Sequence, residues 1–95
     1  MKLIHHKADT LSASETEYVP LAVPAQLVSI FVDNSSNVTV SVTNSTGTIG
    51  ASSLWSTLTL TSNAASIAGP ITGVRLVANG SGGSYCIAAG VQSSK

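Results

Sequence analysis

Val38-Thr39-Val40-Ser41-Val42-Thr43 decides the fold class. Three valines alternate with three hydroxyl residues, a period of two that puts the valines on one side of an extended strand and the hydroxyls on the other. Five of the six residues are β-branched, and such side chains fit a pleated surface better than a helix. Thr57-Leu58-Thr59-Leu60-Thr61 repeats the pattern. Leu27-Val28-Ser29-Ile30-Phe31-Val32 is apolar on both faces and predicts a central strand covered on two sides. Ile71 to Ala78 and Tyr85 to Gln92 read as two more strands, and no helical period competes with any of them.

The punctuation between these runs is that of a β protein. Asn79-Gly80-Ser81-Gly82-Gly83 tolerates positive φ and predicts a hairpin between its flanking strands, and Asp33-Asn34-Ser35-Ser36-Asn37 predicts another. Asn44-Ser45-Thr46-Gly47 closes the next turn, and Gly69-Pro70 marks a break. Pro20 and Pro24 flank Leu21-Ala22-Val23 and favour an extended edge segment, because proline lacks the ladder donor a central strand needs. With Leu3 to His6 and Tyr18 to Val23 counted, the expectation is a small antiparallel β-sandwich or jelly roll of about six to eight strands. Residues 1–95 form one domain, with 1–17 an extended N-terminal arm and 18–95 the body.

Charged residues make up only 8% of the chain, although 43% is hydrophobic; an average soluble domain carries about 25%. Five of the eight charges, Lys2, Lys7, Asp9, Glu15 and Glu17, fall in the first seventeen residues, and Arg75 is the only one between Asp33 and Lys95. A net charge of zero offers no field for nucleic acid. No run of about 18 apolar residues occurs, so no membrane span is expected. The opening Met1-Lys2-Leu3-Ile4-His5-His6-Lys7 lacks the apolar core of a signal peptide. The single Cys86 cannot form an internal disulfide, which favours folding in a reducing cytoplasm.

No catalytic or metal constellation emerges, and no cofactor is expected. His5 and His6 are adjacent, so on a strand they point to opposite faces and do not share an ion with Asp9. There is no Gly-x-Ser-x-Gly elbow, and no two of the four carboxylates are placed as acid and base. Gly80 to Gly83 lacks the lysine and helix of a phosphate cradle. Cys86, in Tyr85-Cys86-Ile87-Ala88-Ala89, reads as a small buried hydrophobe without a basic neighbour. The sequons at Asn34, Asn37, Asn44 and Asn79 read as turn and strand-face polarity.

Gly69-Pro70-Ile71-Thr72-Gly73-Val74-Arg75-Leu76, a Gly/Ser turn and a last strand ending Val91-Gln92 resemble small structural proteins of tailed bacteriophages. Pro24-Ala25-Gln26-Leu27-Val28-Ser29-Ile30 and the Asn-rich turn after it also look similar, so the resemblance covers about two thirds of the chain. It implies a non-enzymatic virion component made in the host cytoplasm: a capsid decoration (cement) protein or a head or tail accessory subunit. The implied partners are further copies of the chain, a trimer by family analogy, and a larger viral shell or tail protein.

The residues expected to carry assembly are Leu3 and Ile4 as anchors of the arm, Lys7 facing acidic groups, Trp55 as a contact aromatic, and Arg75 bonded across a subunit contact. For Trp55 core packing is the default. The N-terminal segment has two open placements: an arm reaching a neighbouring chain, or an edge strand of the chain's own sheet. The alternative function is a stand-alone carbohydrate- or ice-binding module. Its hydroxyl rows, Thr39-Ser41-Thr43 and Thr57-Thr59-Thr61, resemble the flat threonine arrays of some antifreeze proteins.

Overall fold

The computed structural model describes residues 2–91; Gln92, expected to end the last strand, lies outside them. Six strands form: β1 (Lys2–Leu11), β2 (Thr16–Val32), β3 (Val38–Thr43), β4 (Ser56–Thr57), β5 (Ala64–Ala78) and β6 (Gly83–Val91). Every pairing is antiparallel, the sheet order is β1-β6-β2-β5-β3-β4, and no helix occurs among the described residues. The protein is all-β, with a strand count at the low end of the expected range.

Two strands are far longer than the usual five or six residues. Strand β2 has 17 residues and β5 has 15, and they run alongside each other with a break in the middle. Thr16 to Pro20 pairs with Val77 to Gly73; the register then shifts between Pro20 and Ala25 and again before Leu27, after which Leu27 to Phe31 pairs with Ala68 to Ala64. Pro20 and Pro24 withhold ladder donors at this break, and Gly69 and Pro70, joined by a cis peptide bond, lie across from it. A Cβ on Gly69 would strike the Ala25 carbonyl oxygen, so the two backbones meet there only because residue 69 is glycine. Gly69-Pro70 therefore makes a corner inside β5 instead of ending a strand.

The corner divides the sheet into two halves, since strands that change layer do so at such bends. In the β1 half, β1 pairs with β6, β6 with residues 27–32 of β2, and those with residues 64–68 of β5. In the β3 half, residues 16–20 of β2 pair with residues 73–77 of β5, which pair with β3, and β3 with β4. Each half turns one face inward. Val28, Ile30, Ile87 and Ala89 from the β1 half and Val19, Val40, Val42, Val74 and Leu76 from the β3 half belong to one buried cluster. Burying each of the valine, leucine and isoleucine side chains among them is worth about 1.5–3 kcal/mol.

The turns do different work from that expected. β5 and β6 are not neighbours, nor are β2 and β3. The Asn79–Gly83 and Asp33–Asn37 segments are arches that carry the chain from one half to the other, not hairpin tips. Both need the same positive-φ and side-chain-bonding residues as a hairpin, so composition alone does not separate the two. The arches lean on each other: Asn79 N donates to Asn37 O at 2.7 Å and Asp33 N to Ser84 O at 3.0 Å. Gly82, at φ 81°, lies so close to Leu11 that a Cβ would meet its carbonyl oxygen.

Of the two placements for the N-terminal segment, the local one is adopted. Lys2 to Leu11 pairs with β6 from Val91 to Gly83, with a bulge between Leu3 and His5. The Thr57–Thr61 run is a strand only at Ser56–Thr57; beyond it Leu58 N donates to Val40 O at 2.9 Å and Thr61 bridges to Ala64. Leu58 and Leu60 are used to cover the core from the side, which ends the ladder.

Candidate assembly surface

Each half also has an outer face, and the two are built differently. Register places Tyr18, Arg75, Ser41 and Thr57 in one row across β2, β5, β3 and β4. Arg75 Nη2 donates to Ser41 Oγ at 3.2 Å, and Ser41 Oγ and Thr57 Oγ1 share a hydrogen bond of 3.2 Å. The β3–β4 loop folds back over this row. Trp55 stacks on Arg75, with the guanidinium carbon 5.1 Å from the ring centroid, and on Tyr18, with the centroids 5.8 Å apart. Its indole N–H donates to Gly50 O at 3.0 Å, which fixes the ring.

The loop is tied down a second time one row away. Thr43 Oγ1 donates to Ser45 Oγ at 2.8 Å, Thr72 Oγ1 to Ser45 O at 2.7 Å, and Ile49 sits over Gly73, where any Cβ would collide with it. Two of the three β3 hydroxyls are therefore enclosed, Ser41 at 1% and Thr43 at 3% exposed, while Thr39 is part-buried. Beside the loop, a cleft of about 570 Å³ opens between Leu54-Trp55-Ser56 and Ile67 to Ile71.

The outer face of the β1 half carries no such cover. Its rows are Ala8-Cys86-Phe31-Ala64, His6-Ala88-Ser29-Ser66 and Leu3-Gly90-Leu27-Ala68. No Lys, Arg, Asp or Glu stands in these rows. Phe31 is 61% exposed and Leu3 is 58% exposed. An outward sheet face ordinarily carries polar and charged side chains, and the absence of both signs here leaves nothing to repel a second surface. Leu27–Val32 is thus central in pairing but covered on one side only, contrary to its two-sided apolar pattern. Cys86 also differs from expectation. It is half-exposed on this face, with Sγ 3.4 Å from His6 Nε2.

Two charges of the N-terminal segment, Lys7 and Glu17, meet at the seam between the halves. Lys7 lies opposite Ile87 and Glu17 opposite Leu76, so both point inward, and Lys7 Nζ bonds Glu17 Oε2 at 2.9 Å. That hydrogen bond raises the Lys7 pKa above its ordinary 10.5. Behind the pair sits Tyr85, 3% exposed, whose phenol is raised above 10.0 first by burial and then by the Glu17 charge. The Tyr85 hydroxyl and His5 Nε2 are buried without a hydrogen-bond partner.

The five expected assembly residues divide among these places. Leu3 is on the bare face, Ile4 packs against the core at the bulge, and Lys7 is in the seam. Trp55 and Arg75 come together, and their partners are within the chain. Phe31 and Leu27 were legible as candidates only through the apolar character of both faces of their strand. His6 beside Cys86 had no local signal, because the two are brought together by β1–β6 pairing. Among the described residues no three His, Cys, Asp or Glu side chains group as metal ligands. No protein-family model, curated protein or solved structure matches the chain.

Proposed function

We propose that this chain is a non-enzymatic structural subunit that docks through the outer face of its β1 half, onto copies of itself and onto a larger protein shell. The observation that carries this reading is a four-stranded outer face without a formal charge, on which Leu3 and Phe31 stand about three fifths exposed. Covering an apolar side chain of that size recovers about 25 cal/mol for each Å² removed from water, and no ion pair has to be desolvated to do so. The resemblance of Gly69 to Gln92 to small structural proteins of tailed phages supports a place in a virion, as a capsid decoration (cement) or a head or tail accessory subunit. A carbohydrate- or ice-binding role has less support: Ser41 and Thr43 of one hydroxyl row are enclosed, the exposed Thr57-Thr59-Thr61 row leaves the ladder after Thr57 and so is not a flat strand face, and the Trp55 ring is engaged by Arg75 and Tyr18.

Light scattering at tens of micromolar and co-sedimentation with the source particle test the proposal. The wild-type chain is expected to be oligomeric and to travel with the particle. Phe31→Lys, which sets a charge in the middle of the face, is expected to lower particle binding at least about tenfold with the melting temperature unchanged. A monomeric wild type that ignores the particle, or a Phe31→Lys variant that binds it as well as wild type, overturns the reading.

A further inference from the structure

The His6–Cys86 pair is the chemically distinctive feature of the bare face. β1 and β6 are hydrogen-bonded neighbours there, with His6 opposite Ala88 and Cys86 opposite Ala8, so the two side chains stand diagonally on the same surface. Both are accessible, and Cys86 Sγ lies 3.4 Å from His6 Nε2. In tetrahedral zinc sites the metal lies about 2.3 Å from thiolate sulfur and about 2.0–2.1 Å from imidazole nitrogen, which puts those two ligand atoms about 3.5 Å apart. The separation here is therefore already that of one edge of a zinc tetrahedron.

We propose that His6 and Cys86 are half of a zinc site, which a second copy of the chain completes as His₂Cys₂ across the bare face. The inference rests on the reading of that face as an assembly surface and adds what would lock it. Two ligands do not hold zinc firmly, and no third His, Cys, Asp or Glu among the described residues joins them within the chain. A two-fold axis supplies two more of the same kind, because an isologous interface presents one patch to its own copy. The surroundings suit a buried ion: Ala8, Ala88 and Phe31 flank the pair by register, and no charged residue shares the rows. Zn²⁺ with two thiolates and two neutral imidazoles has no net charge, so the uncharged faces close over it without burying an unpaired charge. On binding, each Cys86 thiol gives up its proton to solvent and two S–Zn and two N–Zn bonds form, without any change of oxidation state. His5 does not compete, since it lies opposite Ala89 and is turned to the inner side of the strand.

The test uses the full chain with a non-chelating phosphine reductant, so that a disulfide between two Cys86 residues cannot imitate the effect. Zinc titration of the metal-free chain, diluted below the concentration at which it self-associates and followed by calorimetry and light scattering, is expected to give one ion per two chains and a doubling of mass. Cobalt(II) is expected to show sulfur-to-metal charge transfer in the near ultraviolet with tetrahedral d–d bands. Cys86→Ala and His6→Ala are expected to lose the stoichiometry, the spectrum and the metal-dependent mass change while keeping the wild-type melting temperature in EDTA. Failure of zinc to bind, binding of one ion per chain without a change in mass, or wild-type binding by Cys86→Ala overturns the proposal. The assembly reading is scored separately by particle binding in EDTA: if Phe31→Lys abolishes that binding while zinc has no effect on it, the face stands and the zinc site falls.

Discussion

The two outer faces of this sandwich start from similar material and end differently. Both are strand surfaces with many small and hydroxyl residues and with large aromatics, Trp55 and Tyr18 on the β3 half and Phe31 on the β1 half. Over the β3 half the chain devotes the whole stretch from Asn44 to Trp55 to a lid, pinned by Thr43, Thr72, Arg75 and the Gly50 carbonyl. Over the β1 half it devotes nothing, and Phe31 stays 61% exposed. A fold of this size, whose own core leaves little margin, gains from covering such a face; the β3 half does so internally, and the β1 half leaves its face bare.

The comparison depends first on the corner that creates two faces. Gly69→Ala places a methyl group against the Ala25 carbonyl and Ile71 N, both backbone atoms that cannot step aside. The expected loss is about 3 kcal/mol in urea denaturation, at the upper end of overpacking costs. Gly50→Ala is the control, as nothing lies within 4 Å of the place its methyl group would take, and it is expected to be silent. Equal stability of the two variants would mean that the strands do not cross at this point and that the two faces are not separate surfaces.

The next largest effect separates the faces directly. Trp55→Ala removes a half-buried indole, its stacking on Arg75 and the anchor at Gly50, with an expected cost of about 2 kcal/mol. Phe31→Ala, measured in dilute chain where no partner is bound, is expected to stay within about 0.5 kcal/mol of wild type. Similar losses for both would show that the β1 face is covered within the chain after all.

Much of this was legible in the sequence, and the rest failed for identifiable reasons. Val38, Val40 and Val42 announce their inward face by period, and the inner faces of β5, β6 and most of β2 follow the same rule, whereas β1 turns His5 and Lys7 inward. What local pattern does not encode is which layer the chain enters after a turn. Asn79–Gly83 and Asp33–Asn37 satisfy an arch as well as a hairpin, and the choice is made by pairings with β2 and β6 far away in sequence. The His6–Cys86 pair is of the same kind, a product of register across strands, and the Arg75–Trp55 contact depends on how the β3–β4 loop folds back. Leu27–Val32 misled in a more useful way, since a strand apolar on both sides and covered on one is the feature on which the proposed docking face rests.

The smallest expected effect concerns the seam that holds the two halves together beneath both faces. Tyr85 is 3% exposed and its hydroxyl has no hydrogen-bond partner, so the oxygen has lost water without a replacement. Tyr85→Phe deletes that oxygen and keeps the ring, and is expected to leave stability unchanged or raise it by up to about 1 kcal/mol. Burial and the nearby Glu17 carboxylate raise the phenol's pKa in the folded chain above 10.0, while the hydrogen bond to Glu17 raises that of Lys7 above 10.5. In both cases the unfolded chain loses its proton first as pH rises, so the stability contributed is complete below about pH 10 and declines through the folded values above it. Thermal melts from pH 8 to 11.5 are therefore expected to show wild type weakening above about pH 10, with Tyr85→Phe weakening less and Tyr85→Phe combined with Lys7→Met least. The Lys7–Glu17 pair is part-exposed, so its own share is held to about 0.2–1 kcal/mol. If Tyr85→Phe instead destabilises at pH 7, the hydroxyl has a partner in solution, and the seam is a satisfied polar network tying the covered half to the bare one.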